Sequence, residues 1–211
     1  MTDHPTLSVF GATASATFPL ILVVGREPNT ALPTVPGIGA YDFRWAPRCG
    51  FWNTSYGAIA RVLGMPTWQL KALCAKQNAS PIVYADTLPI GLPNHVGNKD
   101  KHRAMLIENH WTRIEEHIPA IFAHDDLTVR VHLILASGLY EPTFEKPFAL
   151  LRQEAGRHSI PTIKVPFFYG TNTQGIQAAL DAEARRIIVE VVGAFRAWRQ
   201  VPAGIALFGE H

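Results

Sequence analysis

Residues Phe18 to Thr30, FPLILVVGREPNT, constrain the fold more than any other part of the chain. Six apolar residues from Pro19 to Val24 stop abruptly at Gly25, Arg26, Glu27, Pro28 and Asn29. Such a run, bounded by glycine and proline, reads as a fully buried strand emptying into a rigid loop. Strands buried on both faces belong to parallel sheets covered by helices on each side. Open sheets of that kind bind ligands beyond the carboxyl ends of their strands, which is where Glu27 falls. Pro28 restricts the backbone directly behind that carboxylate. An ordinary strand-to-loop turn is the competing reading of this segment.

Three further segments repeat the pattern of a strand followed by a helix. PIVYAD, Pro81 to Asp86, is a strand candidate ending in an acid and a Pro/Gly-rich loop. A helix of about twenty residues is predicted to begin near Asp100 or Lys101, with Ile107, Trp111, Ile114, Ile118 and Ile121 at three-to-four spacing. VRVHLILAS, Val129 to Ser137, forms a third strand that closes on Gly138 and feeds a helix near residues 143–156. TIKVPFFYG, Thr162 to Gly170, forms a fourth, followed by a long helix to about Arg199. Leu180, Ala184, Ile187, Val191, Phe195 and Trp198 make the buried stripe of that last helix. Strands alternating with helices predict a three-layer α/β/α sandwich with a four-stranded, mainly parallel sheet, in one domain over residues 1–211.

The long loop at residues 26–50 contains Tyr41, Phe43 and Trp45 and leads to Phe51 and Trp52, too aromatic for a disordered segment. Asn53 or Thr54 is expected to cap a helix running to about Leu63, with Gly64 as its stop. Hydrophobic content of 47% against 17% charged residues supplies a well-buried core. No apolar run approaches a membrane span, and the first ten residues lack a basic region followed by an apolar stretch, so a cytoplasmic, non-membrane protein is expected. Cys49 and Cys74 are too few for a disulfide framework or a four-cysteine iron–sulfur cluster.

Several chemistries lack their motifs. No phosphate-binding GxxxxGK[ST], nucleophile-elbow GxSxG or zinc-binding HExxH occurs, and Gly37-Ile38-Gly39 is followed by Asp42 where a dinucleotide fingerprint needs glycine. Histidines 95, 102, 110, 117 and 124 recur at intervals of seven or eight and read as solvated helix residues. His124-Asp125-Asp126 reads as a turn. No metal and no cofactor are expected.

The order of the remaining motifs resembles the uracil-DNA glycosylase superfamily across roughly residues 18–200. The best-known branch of that family has Gly-Gln-Asp-Pro-Tyr where this chain has Gly25-Arg26-Glu27-Pro28-Asn29. A mismatch-directed branch has a later Pro…Asn-x-Phe-Trp segment, to which PRCGFWNTSYGAIARVLG, Pro47 to Gly64, is similar. The resemblance implies hydrolysis of a base–sugar bond in single- or double-stranded DNA, with the base flipped into a pocket. Glu27 then takes the place of the family's water-activating Asp, one methylene longer, with Gly25, Arg26, Pro28 and Asn29 around it. Phe51, or else Phe43 or Tyr41, supplies the stacking face, and core packing is the alternative use of these rings.

Asp86 corresponds in order to a family Asn that reads the base edge. An ionised carboxylate only accepts, so it disfavours the carbonyl of uracil and favours an amino-bearing edge. Asn94 and Asn98 are alternatives in the following loop, and capping of the turn at Thr87 is the structural one. The family's His-Pro-Ser or Asn-Pro-Ser motif falls on Phe167 to Gly175, which contains no histidine; Tyr169 or Asn172 then supports the leaving base. Gly170 and Gly175, with Thr171, Asn172 and Thr173 between, make a phosphate cradle, and Gln174, Ser137 and Gly138 are further contacts to the nucleic-acid backbone. Arg48 contacts the nucleic-acid backbone, with Arg26, Arg44, Lys99, Lys101 and Arg103 as further cations. Two other readings stand beside this one: a binding module on the same fold, and a hydrolase of small nucleoside-like molecules that does not bind DNA.

Overall fold

The computed structural model describes residues 7–26, 50–89, 99–123, 125–168 and 173–198. Its centre is a parallel sheet of β1 (Leu20–Gly25), β2 (Ile82–Asp86), β3 (Val131–Ser137) and β4 (Thr162–Val165), in the order β2-β1-β3-β4. The helices are α1 (Gly50–Val62), α2 (Thr67–Gln77), α3 (Lys99–Asn109), α4 (Trp111–Ile121), the single turn α5 (Asp125–Thr128), α6 (Glu145–Arg157), α7 (Thr173–Ala179) and α8 (Ala182–Ala197). The architecture is a three-layer α/β/α sandwich.

The layers follow from chain direction. The crossover from β1 to β2 runs one way along the sheet, and those from β2 to β3 and β3 to β4 run the other. With right-handed crossovers, α1 must lie on one face and α4 and α6 on the opposite one. The packing agrees: α1 touches α7 and α8, α8 lies on β1 and β3, and α4 packs on α6. The two central strands are the two most apolar runs, and every residue of β1 is buried. At one sheet edge Ser8 bridges antiparallel to Tyr84 of β2, exchanging backbone hydrogen bonds of 2.7 and 3.0 Å.

Of the predicted stripe on the last helix, Leu180, Ala184, Ile187, Val191 and Phe195 are buried, while Trp198 is half-buried at the C-cap. The helix itself is not continuous. The chain breaks at Leu180-Asp181, where the Asp181 carboxylate accepts from the Ala184 N–H at 2.8 Å and starts α8 afresh. Arg185 closes the end of α7 by donating to the Gln177 and Leu180 carbonyls. The predicted twenty-residue helix is likewise two, bent at His110 (φ −124°, ψ 23°) while hydrogen bonds from His110 N to Leu106 O and from Ile114 N to His110 O carry on across the bend. Asp125 and Asp126 open α5 rather than a turn.

The third strand starts at Val131, because the Arg130 N–H closes the turn after α5 by donating to the Leu127 carbonyl at 3.1 Å. The fourth ends at Val165, since Pro166 has no N–H for the ladder. Helix α2 is absent from the sequence expectations because only Leu70 and Cys74 mark its buried side. Among the described residues no helix is long and apolar enough to cross a membrane.

Candidate functional site

The strand order reverses between β1 and β3, the place where open sheets of this kind form their binding crevice. Arg26 follows β1 there, and Ser137, Gly138 and Glu141 end β3 and begin its loop. Glu141 accepts from Arg26 Nη1 at 2.6 Å, and the guanidinium lies 4.3 Å from the centre of the Phe167 ring. The arginine side chain is 14% exposed and that of Glu141 40%, so the pair is shielded from water on the arginine side only. Arg26 Nε and Glu141 Oε2 are buried and use no hydrogen bond among the described residues.

Glycine 138 makes this approach possible. Its φ of +74° is a conformation L side chains rarely adopt, and a Cβ there would stand 2.8 Å from Phe167 Cδ2. Ser137, by contrast, is fully buried, and its hydroxyl accepts from the Phe168 N–H at 3.0 Å. That bond ties β3 to the loop after β4 and holds the hydroxyl in a buried position.

Beside the crevice, Gly25 of β1 pairs in register with Asp86 of β2. A Cβ on Gly25 would lie 2.5 Å from Asp86 Oδ1, so the missing side chain is what lets the carboxylate fold over the strand end. Thr87 fixes the turn beyond: both its N–H and its hydroxyl donate to the Gly25 carbonyl, at 2.9 and 2.7 Å. Asp86 is half-buried, and its carbonyl accepts from His117 Nε2 on α4 at 2.8 Å.

A carbonyl only accepts, so Nε2 carries the proton and the neutral imidazole keeps its lone pair on Nδ1. Burial lowers the His117 pKa from the ordinary 6.5; the bond to Asp86 opposes this, and nearby Arg113 adds to the lowering. His117 is thus a structural prop for β2, not a solvated helix residue.

A pH dependence follows. The native state binds its proton less readily than the unfolded chain, so the contribution is complete above pH 6.5 and lost as pH falls toward the depressed value. The slope from this one group is at most about 1.4 kcal/mol per pH unit. Urea titrations at pH 5 and pH 8 should show a larger stability difference for the parent than for His117→Gln. Equal differences would remove His117 from that role.

Of the other expected site residues, Glu27, Pro28, Asn29, Tyr41, Phe43, Arg44, Arg48, Asn94, Asn98, Tyr169, Thr171 and Asn172 lie outside the described residues. Phe51 sits in the first turn of α1, with its side chain also outside them. Gly25, Arg26, Asp86 and Gly138 gather at the strand ends. Thr173 and Gln174 open α7, where Gln174 is exposed and Thr173 lines a separate cleft. Arg103 is only 5% exposed and makes no cationic rim.

Glu141, Phe167 and Thr87 were missed as site residues. One signal for Glu141 was legible: Gly138-Leu139-Tyr140-Glu141-Pro142 repeats the strand–glycine–acid–proline order of Gly25-Arg26-Glu27-Pro28. Among the described residues no group of three His, Cys, Asp or Glu side chains converges to hold a metal ion. Burial pushes the Cys74 thiol up to about 12, which leaves it un-ionised at neutral pH and inert as a nucleophile. No protein-family model matches the chain, and no curated protein matches it in sequence.

Proposed function

We propose that this chain is a DNA glycosylase related to the uracil-DNA glycosylase superfamily, hydrolysing the N-glycosidic bond of uracil or a related deaminated base without a metal. The observation that carries the reading is the register of Gly25 and Asp86. These residues belong to the two strand-end motifs on which the family resemblance rests, and they meet across adjacent strands with no side chain between them.

In this reading the target base is extruded from the DNA and stacks on Phe51, or on Phe43, with its polar edge toward Asp86. Glu27 takes a proton from water as the water oxygen attacks the anomeric carbon. The bond from that carbon to the base nitrogen breaks, and its electron pair leaves with the base. Tyr169 or Asn172 donates a hydrogen bond to the charge that develops there. Arg26, held by Glu141 over Phe167, supplies fixed positive charge at the rim.

Single-turnover base release tests this, using labelled single- and double-stranded oligonucleotides that carry uracil, a cytosine lesion, hypoxanthine or xanthine. Release by the parent and a loss of about tenfold or more in Glu27→Gln are expected. No release from any of them, with salt-sensitive DNA binding intact, would overturn the enzyme in favour of a binding module. Base preference offers a second check. Asn can donate where an ionised Asp only accepts, so Asp86→Asn should raise uracil release relative to the cytosine lesion by about tenfold. An unchanged ratio would take Asp86 away from the base edge.

A further inference from the structure

From residue 43 to residue 85 the chain contains no Asp or Glu, while Arg44, Arg48, Arg61, Lys71 and Lys76 all lie within it. That stretch builds α1 and α2, which pack on one another. Helix α7, against α1, has no acid either, and on α8 Glu183 and Glu190 are both engaged by Arg186. The charged residues of α1 and α2 are therefore all basic: Arg61, Lys71 and Lys76.

A cleft of about 530 Å³ opens in this surface, lined by Asn53, Thr54, Arg61, Met65, Thr67 and Thr173 among others. It follows α1 from Asn53 to Arg61, about 12 Å of helix at 1.5 Å per residue. Arg61 is exposed and has no hydrogen-bond or ion-pair partner among the described residues. At the Met65 end, Arg196 reaches over from α8, its Nη2 lying 2.9 Å from the Met65 sulfur, again with no carboxylate. Near the other end Lys71 donates to Asn53 Oδ1 at 2.5 Å, bringing a third cation to the rim. Trp68, next in the chain after the lining residue Thr67, is 70% exposed and contributes nothing to the core.

We infer that the α1–α2 cleft holds a single strand of nucleic acid, with phosphates on Arg61, Arg196 and Lys71 and a base stacked on Trp68. An exposed aromatic beside Arg61 and Arg196, neither of which meets a carboxylate among the described residues, is the combination that single-strand grooves use: charge follows the backbone, and a ring accepts any base. Asn53 and the Thr54, Thr67 and Thr173 hydroxyls add neutral hydrogen-bonding groups suited to phosphate and sugar oxygens. The inference deepens the glycosylase reading by naming where the strand flanking the target base runs, and it rests on that reading for the choice of DNA as the polymer. Thr173 joins the two places, since it lines the cleft and begins the helix that follows the β4 loop.

Fluorescence anisotropy with a labelled oligothymidylate containing no target base tests the cleft without requiring base release. Arg61→Ala and Arg196→Ala should each weaken binding several-fold and reduce the slope of log K against log salt by about 0.7, the value for one single-strand phosphate contact. Trp68→Ala should weaken binding about tenfold and leave that slope unchanged. All three positions are exposed, so the folded state survives the substitutions. Arg152→Ala on α6, in the opposite helix layer, removes the same charge from an exposed site and should have no effect.

Arg152→Ala weakening binding as much as Arg61→Ala would reduce the effect to diffuse charge and overturn the cleft. So would Trp68→Ala binding within twofold of the parent, or tighter binding of a blunt duplex that ignores Trp68. Base release that persists while oligothymidylate binding ignores all three substitutions overturns the cleft and spares the enzyme. Binding that responds as expected, with no base released, overturns the enzyme and spares the cleft.

Discussion

Gly138→Ala should unfold at about 1–2 M less urea than the parent, a loss of about 2–4 kcal/mol. Two costs add at this position. A left-handed φ of +74° is unfavourable for any residue with a Cβ, by about 1–2 kcal/mol. The new methyl would also stand 2.8 Å from Phe167 Cδ2 and 3.0 Å from Phe167 Cβ. A ring can rotate away, but Cβ moves only with the backbone, and the hydrogen bond from Phe168 N to Ser137 Oγ anchors the backbone there.

Gly64→Ala separates the two costs, because Gly64 has φ +62° with nothing within 4 Å of the added Cβ. That variant should lose only about 1 kcal/mol. Equal losses in the two variants would mean that Phe167 does not press on β3. The same Gly138 substitution dislodges the face on which Arg26 rests, so under the proposed glycosylase reading base release should fall further than stability alone accounts for.

Phe195→Ala should cost about 3–5 kcal/mol, a large share of the roughly 5–15 kcal/mol that holds a native domain together. Phe195 is fully buried where α8 crosses β1 and β3, and its ring meets Phe18 edge-on at 4.9 Å. Phe18 is also covered by Trp198 at 5.1 Å, while Arg130 donates to its carbonyl. One deletion thus opens a cavity that touches a strand, a helix end and the entry to the sheet. Thermal unfolding should move down by about 6–20 °C for a chain of this size. A double-mutant cycle with Phe18→Leu should return about 0.5–1.5 kcal/mol of coupling from the ring pair. A loss below about 1 kcal/mol in the single variant would mean that α8 does not dock on the sheet through this ring.

The parts of the fold that could be read in the sequence were those governed by burial. The run Pro19 to Val24 and the stretch VRVHLILAS are apolar because both strands are enclosed by helices, and the Leu180-to-Phe195 stripe is apolar because α8 has one sheet-facing side. Breaks inside helices were hidden because they depend on single polar contacts. Asp181 caps α8 with one bond to Ala184, which leaves the apolar period intact on both sides of the interruption. His110 bends the chain without losing its flanking hydrogen bonds, so no breaker residue announces it.

The site divides in the same way. Gly25 and Asp86 were legible because each ends an apolar run. Glu141 and Phe167 were not, because they join Arg26 only through the meeting of two loops from different strands. The bond from the Phe168 N–H to the Ser137 hydroxyl was hidden for a related reason: its two ends lie 31 residues apart, at a strand end and in a loop that only the folded sheet brings together.

The two borders of the sheet also determine how this protein behaves in crowded company. β2 is shielded where Ser8 exchanges both backbone hydrogen bonds with Tyr84, so a foreign strand finds that site already taken. β4 offers only Thr162–Val165, hemmed in by Pro161 and Pro166 and interrupted by the charge of Lys164. Neither border gives a neighbouring copy a long, flat row of free amides to extend. Among the described residues the sheet stops at four strands, and concentrated solutions of the chain should resist fibrous self-association for as long as Ser8 stays in place.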